Sequence, residues 1–144
     1  MASKGRPFRS YVEDGFEILI GRGASENDEL TFGVAAKVDR WLHVAGGTPG
    51  SHVVIRNPEQ SEIPGAVIRR AAPLAAWYSK ARNRALVEVH HCRVADVRKP
   101  KGAPPGLVQL ARYERVRVKP EAPSAGADAD DADGDTPEPA PRRR

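Results

Sequence analysis

Cysteine is almost absent from this sequence, which has only Cys92 among its 144 residues. A single thiol excludes an internal disulfide, and no Cys-x-x-Cys pair is present to suggest a redox or zinc motif. No apolar run reaches the roughly 18 residues of a membrane span. The N-terminal stretch MASKGRPFRSYVEDG also lacks the apolar segment of a secretory signal. We therefore expect a cytoplasmic protein with no membrane contact.

Acidic residues are scarce in the middle of the chain. Residues 63–120 carry 13 Lys and Arg against 3 Asp and Glu, whereas residues 1–62 carry 7 against 9. The overall net charge of +4 therefore conceals one intensely basic block. A solvated surface could account for this block. We favour an electrostatic surface for phosphates, because the basic residues recur beside Gly, Pro and an aromatic rather than alternating with acids.

The end of the chain differs in composition from the rest. Residues 121–144 read EAPSAGADADDADGDTPEPAPRRR and contain no aromatic and no β-branched aliphatic residue. Such a segment cannot bury enough apolar surface to offset the entropy of ordering. We therefore predict a disordered acidic tail over residues 121–144, ending in Arg, after one folded domain over residues 1–120.

Apolar periodicity and turn residues predict an α+β domain. Strands are expected at 16–20, 41–44, 52–56, 86–90 and 92–97, followed by a final hairpin of 107–110 with 113–118. A capping pattern at Ser25 predicts a short helix over 26–35. An apolar stripe predicts a longer helix over 64–82, kinked or restarted at Pro73. The expected fold is a mixed or mostly antiparallel sheet packed with one longer and one short helix.

Four histidines raise the question of a metal site. His43 and His52 flank a glycine-rich turn and could approach each other, but no acidic third ligand is nearby in the sequence. His90 and His91 are neighbours on a predicted strand and therefore point to opposite faces, so they cannot easily share one ion. Hydrogen bonds from His43 and His52 to a phosphate or a backbone carbonyl are the more modest interpretation, and we expect no metal or cofactor.

A nucleophile activated by a neighbouring base is the second catalytic alternative. Ser51 precedes His52, and Cys92 follows His91, but sequence neighbours rarely have the geometry that such a pair needs. A cysteine in a strand is more often a small buried hydrophobe. We accordingly expect that the chain is not an enzyme.

Two basic stretches are the most informative part of the sequence. Residues 78–84 read YSKARNR directly after Trp77, and residues 98–106 read RKPKGAPPG. Glycines expose backbone amides and let a phosphate approach closely. Basic groups interleaved with an aromatic suit a nucleic-acid backbone with an unstacked base nearby. The alternatives are a mobile surface loop and a core contact for Trp77; we favour the binding interpretation.

The chain resembles a stand-alone NFACT RNA-binding domain (NFACT-R) over roughly residues 7–120. This module forms the C-terminal end of ribosome quality-control factors once called fibronectin-binding-like proteins. The resemblance is carried by six ordered blocks: PFR and DGFEI within 7–18, GR and NDELT within 21–31, DRWLH at 39–43, PGSHVVI at 49–55, AAWYSKAR at 75–82, and KPKG and PG within 99–106. Pro73 and the acidic tail depart from the family's pattern.

The resemblance implies a non-catalytic module that binds structured RNA, ribosomal RNA or tRNA, and that associates with the ribosome in translation quality control. Phosphate contacts are expected from Arg70, Lys80, Arg82, Arg84, Arg98, Lys99 and Lys101, hydrogen bonds from His43, Ser51 and His52, and base stacking from Trp77. A histidine beside phosphates should be protonated near pH 7, so binding should weaken from about pH 6 to pH 8.

Two other classes of function remain open on the sequence. One is a small RNA-processing or metal-dependent enzyme that uses His43 and His52 with Asp39 or Ser51. The other is a protein-interaction adaptor whose basic block meets an acidic partner protein.

Overall fold

Alternating apolar residues build a six-stranded antiparallel sheet in the computed structural model, which describes residues 8–123. The strands are β1 (Phe8–Glu13), β2 (Phe16–Gly21), β3 (Arg40–Val44), β4 (Val53–Ile55), β5 (Val87–Arg93), β6 (Val97–Arg98), β7 (Gln109–Leu110) and β8 (Glu114–Val118). The main sheet has the order β1-β2-β4-β3-β5-β8, and β6 and β7 form a separate two-stranded pair. Every pairing is antiparallel. The strand order makes β1 and β8 the two edges of the main sheet.

One face of the sheet is covered by the longer helix, α2, which spans Gly65–Trp77. Val67, Ala71 and Leu74 recur at helical spacing and are buried against the sheet. Pro73 lies inside this helix, which continues through it, whereas the sequence left a kink or a restart open. The helix also ends earlier than predicted, because Tyr78 leaves the helical conformation with φ −92° and ψ 42°.

The opposite face holds a second apolar cluster around Trp41. Leu19, Val54 and Cys92 are buried with it, and Val97 of β6 covers them from outside the sheet. The cluster is completed by a short helical segment between β2 and β3. In this segment α1 (Ala24–Asp28) continues into a π-helical turn (Glu29–Val34). This segment is the short helix that the sequence predicted.

The α+β class, the two helices and the hairpin of β3 with β4 are confirmed. The predicted final hairpin is wrong: Leu110 pairs with Val97, whereas β8 pairs with β5. The two strands predicted at 86–90 and 92–97 are one longer strand, β5, followed by a 3-10 turn (Val94–Asp96) and β6. Strand β1 was not predicted.

The strand registers bring distant parts of the chain to one end of the sheet. Phe8 pairs with Gly21, Ile20 pairs with Val53, and Val53 pairs with Leu42. The start of β1, the end of β2, the start of β4 and the end of β3 therefore lie side by side. Residues that flank these strand ends meet although they are far apart in sequence.

No helix within residues 8–123 has the length and apolar character needed to cross a membrane. The tail predicted over 121–144 lies, beyond residue 123, outside the described residues.

Candidate nucleic-acid interface

A groove of about 1060 Å³ opens at this end of the sheet. Three segments form most of it: the turn of residues 45–50, Trp77 at the end of helix α2 with residues 78–80 and 82 after it, and the loop of residues 104–108. Its basic side chains are Arg9, Arg22, Lys80 and Arg82, and its exposed or half-buried aromatic rings are Trp77, Tyr78 and Tyr113. Among the described residues that line it there is no Asp or Glu.

Glycines shape the first wall of the groove. Gly46 and Gly47 have φ values of 78° and 75°, a region that favours glycine, and they reverse the chain between β3 and β4. Gly50 pairs with Ser79 in an isolated bridge. A Cβ atom on Gly50 would lie 2.7 Å from the Cβ atom of Ser79. The two backbones can therefore meet only if residue 50 has no side chain.

Backbone hydrogen bonds fix this turn to the end of helix α2. The amide of Ser51 donates to the carbonyl of Tyr78 at 3.0 Å, and the amide of Lys80 donates to the carbonyl of Pro49 at 2.9 Å. Ser51, which the sequence predicted to contact RNA, thus holds the wall through its main chain. The same bonds keep Lys80 and its neighbours at the rim of the groove.

Lys99 is half-buried and holds the opposite wall. Its ammonium group pairs with Asp28, with an Nζ–Oδ2 distance of 3.0 Å, and donates to the carbonyls of Pro104 and Leu107. The amide of Gly106 donates to the other carboxylate oxygen of Asp28 at 3.0 Å. An ammonium group has three N–H donors, and these three acceptors occupy them. The structure therefore engages the ammonium group of Lys99 within the chain, whereas the sequence predicted that Lys99 contacts a phosphate.

His52 connects the two walls from a buried position, with 1% of its surface exposed. Its Nε2 atom lies 3.3 Å from the carbonyl oxygen of Gly106, and its Nδ1 atom lies 2.9 Å from the hydroxyl of Thr31. Donation from Nε2 to the carbonyl leaves Nδ1 to accept from Thr31, which is the neutral ring. Burial lowers the pKa of His52 to about 3. Its backbone amide donates to Asn27.

His43 is half-buried on the floor of the groove. Its Nε2 atom donates to the carbonyl of Gly50 at 3.2 Å, and its ring stacks on Trp41 with centroids 5.8 Å apart. Burial lowers the pKa of His43 as well. In the protein alone, burial therefore favours the neutral ring of both histidines, and their protonation beside a bound phosphate stays a prediction.

Six of the predicted site residues meet at the groove, namely His43, Ser51, His52, Trp77, Lys80 and Arg82. The guanidinium carbon of Arg82 lies 4.2 Å from the ring centroid of Trp77. Lys80 is exposed at the rim. The turn after α2 brings the side chain of Arg82 back over the ring of Trp77.

Five predicted residues lie elsewhere. Lys99 is engaged behind the wall, as described above. Arg84 lines a smaller adjoining hollow of about 380 Å³. Arg70 forms an ion pair with Glu13 of β1, and neither hollow includes it. Arg98 and Lys101 are exposed beside the loop without lining either hollow.

Sequence reasoning missed Arg9 and Arg22, which supply half of the basic residues in the groove. The guanidinium carbon of Arg9 lies 4.5 Å from the ring centroid of Tyr78. Both arginines lie outside the basic block, one at the start of β1 and one just after β2. Only the pairing of Phe8 with Gly21 would have shown that they are neighbours.

The catalytic alternatives find little support in the geometry. Residues 8–123 contain no group of three or more His, Cys, Asp or Glu side chains that could hold a metal ion. Burial raises the pKa of Cys92 to about 12, so its thiol is a poor nucleophile. Its neighbour His91 accepts hydrogen bonds from the guanidinium of Arg40. Asp39 bonds to Arg56 and to the amide of Asn57.

Comparison with known proteins identifies relatives over most of the chain. The family model for the NFACT protein RNA binding domain matches residues 6–111. The protein named Rqc2 homolog RqcH from Bacillus subtilis is 43% identical over 108 residues, which cover 75% of this chain and 18% of that protein. The RqcH of Streptococcus suis is 42% identical over 117 residues, covering 80% of this chain and 20% of that one.

A solved structure has the same fold. It is the C-terminal part of the fibronectin/fibrinogen-binding protein from Streptococcus suis, with a TM-score of 0.73 and 39% identity. The match covers 82% of this chain and 47% of that one. The chain thus spans about a fifth of the length of the curated relatives it matches.

Proposed function

This chain belongs to the NFACT protein RNA binding domain family, and we propose that it binds structured RNA, ribosomal RNA or tRNA, without catalysing a reaction. In this proposal it associates with the ribosome in the cytoplasm and serves translation quality control. The family's description as an RNA-binding domain and the similarity to RqcH proteins support it. The activities of those longer proteins are not carried over, since the match covers only about a fifth of them.

The observation that carries the proposal is the charge of the groove. Four basic side chains line it, Arg9, Arg22, Lys80 and Arg82, and no described lining residue is acidic. Such a recess concentrates positive potential and attracts a polyanion. Its volume of about 1060 Å³ is at the upper end of ordinary small-molecule pockets, which suits a segment of a polymer.

The predicted residues divide into two roles in this proposal. Lys80 and Arg82 neutralise phosphates at the rim, with Arg84, Arg98 and Lys101 as outer contacts for a large RNA. Four further residues hold the shape of the groove: His43, Ser51 and His52 hold the turn, and Lys99 holds the loop. Arg9 and Arg22 add basic groups to the groove from outside the basic block.

Sedimentation of the tagged protein tests the proposal. Lysate is run on a sucrose gradient with and without RNase, and bound RNA is identified by crosslinking. We expect RNase-sensitive co-sedimentation with a ribosomal particle and crosslinks from residues 77–84. A protein that stays at the top of the gradient and crosslinks to no RNA contradicts the proposal. Co-sedimentation that survives RNase, without RNA crosslinks, indicates a protein partner instead.

A further inference from the structure

Two aromatic rings line the groove without being buried in the core. Trp77 is half-buried at the end of helix α2, and the guanidinium of Arg82 covers its ring at 4.2 Å. Tyr113 is 45% exposed, and its ring stacks on His90 with centroids 4.2 Å apart and planes 27° apart. We infer that the groove takes an unpaired stretch of RNA, with bases stacked on Trp77 and Tyr113. This inference rests on the proposed function and names the form of RNA that the groove binds.

The rings of Trp77 and Tyr113 are each held by a neighbouring side chain. A guanidinium or imidazole packed on an aromatic ring restricts its rotation, so less entropy is lost when a base stacks on it. His90 is held in turn, because its Nε2 atom lies 2.8 Å from a carboxylate oxygen of Glu88. The two rings are therefore preorganised surfaces of the size and polarity that suit a nucleobase.

The cations of the groove are the second observation. The guanidinium of Arg82 lies over Trp77, the guanidinium of Arg9 lies over Tyr78, and Lys80 is exposed at the rim. Proteins that bind single strands combine such a positive groove with aromatic rings on which successive bases stack. The groove of this chain contains both components within one recess.

A duplex does not fit this arrangement as well. Double-stranded RNA is recognised by its shape, through contacts of side chains with 2′-hydroxyls and phosphates on a broad surface. Paired bases are stacked on one another and are not available to Trp77 or Tyr113. An unpaired loop or single-stranded end within a larger structured RNA offers both its bases and its phosphates.

Tryptophan fluorescence provides a direct test, because the chain has two tryptophans. Trp41 is 2% exposed, so of the two indoles only that of Trp77 can stack on a base. The probes are a mixed-sequence RNA oligonucleotide without self-complementarity and a fully paired hairpin of the same length. We expect the unpaired probe to bind more tightly and to quench the fluorescence. We also expect Trp77→Phe to bind it without quenching, since phenylalanine still stacks.

Alanine variants measure each ring. Trp77→Ala and Tyr113→Ala should each weaken binding of the unpaired probe about 5-fold to 150-fold, which corresponds to the ~1–3 kcal/mol of stacking one base. Tyr113→Phe should restore most of the affinity. The matched control is Phe32→Ala, because Phe32 is 44% exposed but does not line the groove. Circular dichroism on every variant establishes that it is folded.

The outcomes separate this inference from the proposed function. If the hairpin binds as well as the unpaired probe, or if binding produces no quenching, the stacking inference is overturned while RNA binding stands. If folded alanine variants bind the unpaired probe as well as the unaltered chain, the inference is equally overturned. If neither RNA binds at low salt, the result contradicts the proposed function and, with it, this inference.

Discussion

The Nε2 atom of His52 lies 3.3 Å from the carbonyl oxygen of Gly106, and this contact joins the two walls of the groove. The histidine belongs to the turn side, and the glycine belongs to the loop that Lys99 and Asp28 hold. The other ring nitrogen, Nδ1, lies 2.9 Å from the hydroxyl of Thr31, so both ring nitrogens have partners and the orientation of the ring is fixed. The groove therefore has its shape before any ligand arrives.

The buried ring of His52 should make stability depend on pH. Its pKa is about 3 in the folded protein and about 6.5 when exposed, so below about pH 6.5 the unfolded chain binds a proton that the folded chain does not. The free energy of unfolding should therefore decrease from pH 7 towards pH 4. Urea titrations should show a shallower decrease for His52→Asn. The free energy of unfolding of this variant should still depend on pH, because the pKa values of His43 and His91 are also lowered. An unaltered slope would contradict this role.

Lys99 and Lys101 should respond differently to replacement by methionine. Lys99→Met removes the partner of Asp28 and the donors to two carbonyls, which should lower the free energy of unfolding by about 1–3 kcal/mol. Lys101 is exposed, so Lys101→Met should change the free energy of unfolding by less than about 0.5 kcal/mol. Chemical denaturation of both variants is the measurement. Equal stabilities would mean that the ammonium of Lys99 does not hold the loop.

Gly50→Ala should damage the first wall. The added Cβ atom would lie 2.7 Å from the Cβ atom and 3.2 Å from the Cα atom of Ser79, so one backbone must shift. We expect a loss of about 1–3 kcal/mol and weaker RNA binding, since Lys80 follows Ser79. Gly33→Ala is the matched control, because its nearest contact would be 3.8 Å, to Glu29. Thermal melts of the two variants should differ clearly; similar melting temperatures would refute the close approach.

Salt dependence should distinguish groove cations from other basic residues. Lys80→Ala should lower the slope of log Kd against log salt by about one unit. Arg70→Ala should leave the slope unchanged, because Arg70 pairs with Glu13 and does not line the groove. Fluorescence anisotropy over a salt series provides the slopes. If Arg70→Ala lowers the slope as much as Lys80→Ala, the RNA surface extends beyond the groove along helix α2.

The single cysteine should report on unfolding. Cys92 is 2% exposed, and burial raises its pKa to about 12, so almost no thiolate is present at pH 8. Iodoacetamide should modify it slowly in buffer and rapidly in urea, as followed by mass spectrometry. Rapid modification of the folded protein would show that the core around Trp41 opens readily.

The elements that the sequence predicted well are local. The hairpin of β3 and β4 follows from the glycine-rich turn between two apolar runs, and the grouping of Trp77, Lys80 and Arg82 follows from their nearness in the chain. Helix α2 follows from its apolar stripe. Each of these signals lies within a short stretch, where periodicity and turn chemistry act.

What could not be predicted depends on contacts between distant residues. Asp28 lies 71 residues from Lys99 in sequence, so nothing near Lys99 indicated that its charge is paired with a carboxylate of the same chain. Arg9 joins the groove through the register of β1 and β2. Strand β8 pairs with β5 and not with β7, its neighbour in the sequence, and this pairing is likewise set by the packing of the whole sheet.

The edge strand β8 has a consequence for self-association. Glu114, Arg115 and Arg117 are exposed along it, so three of its five residues carry charge. A strand of another molecule that paired with β8 would have to approach these charges and remove water from them. Natural edge strands carry charged side chains that discourage pairing in this way. We therefore expect the charges of β8 to oppose the growth of aggregates from that edge.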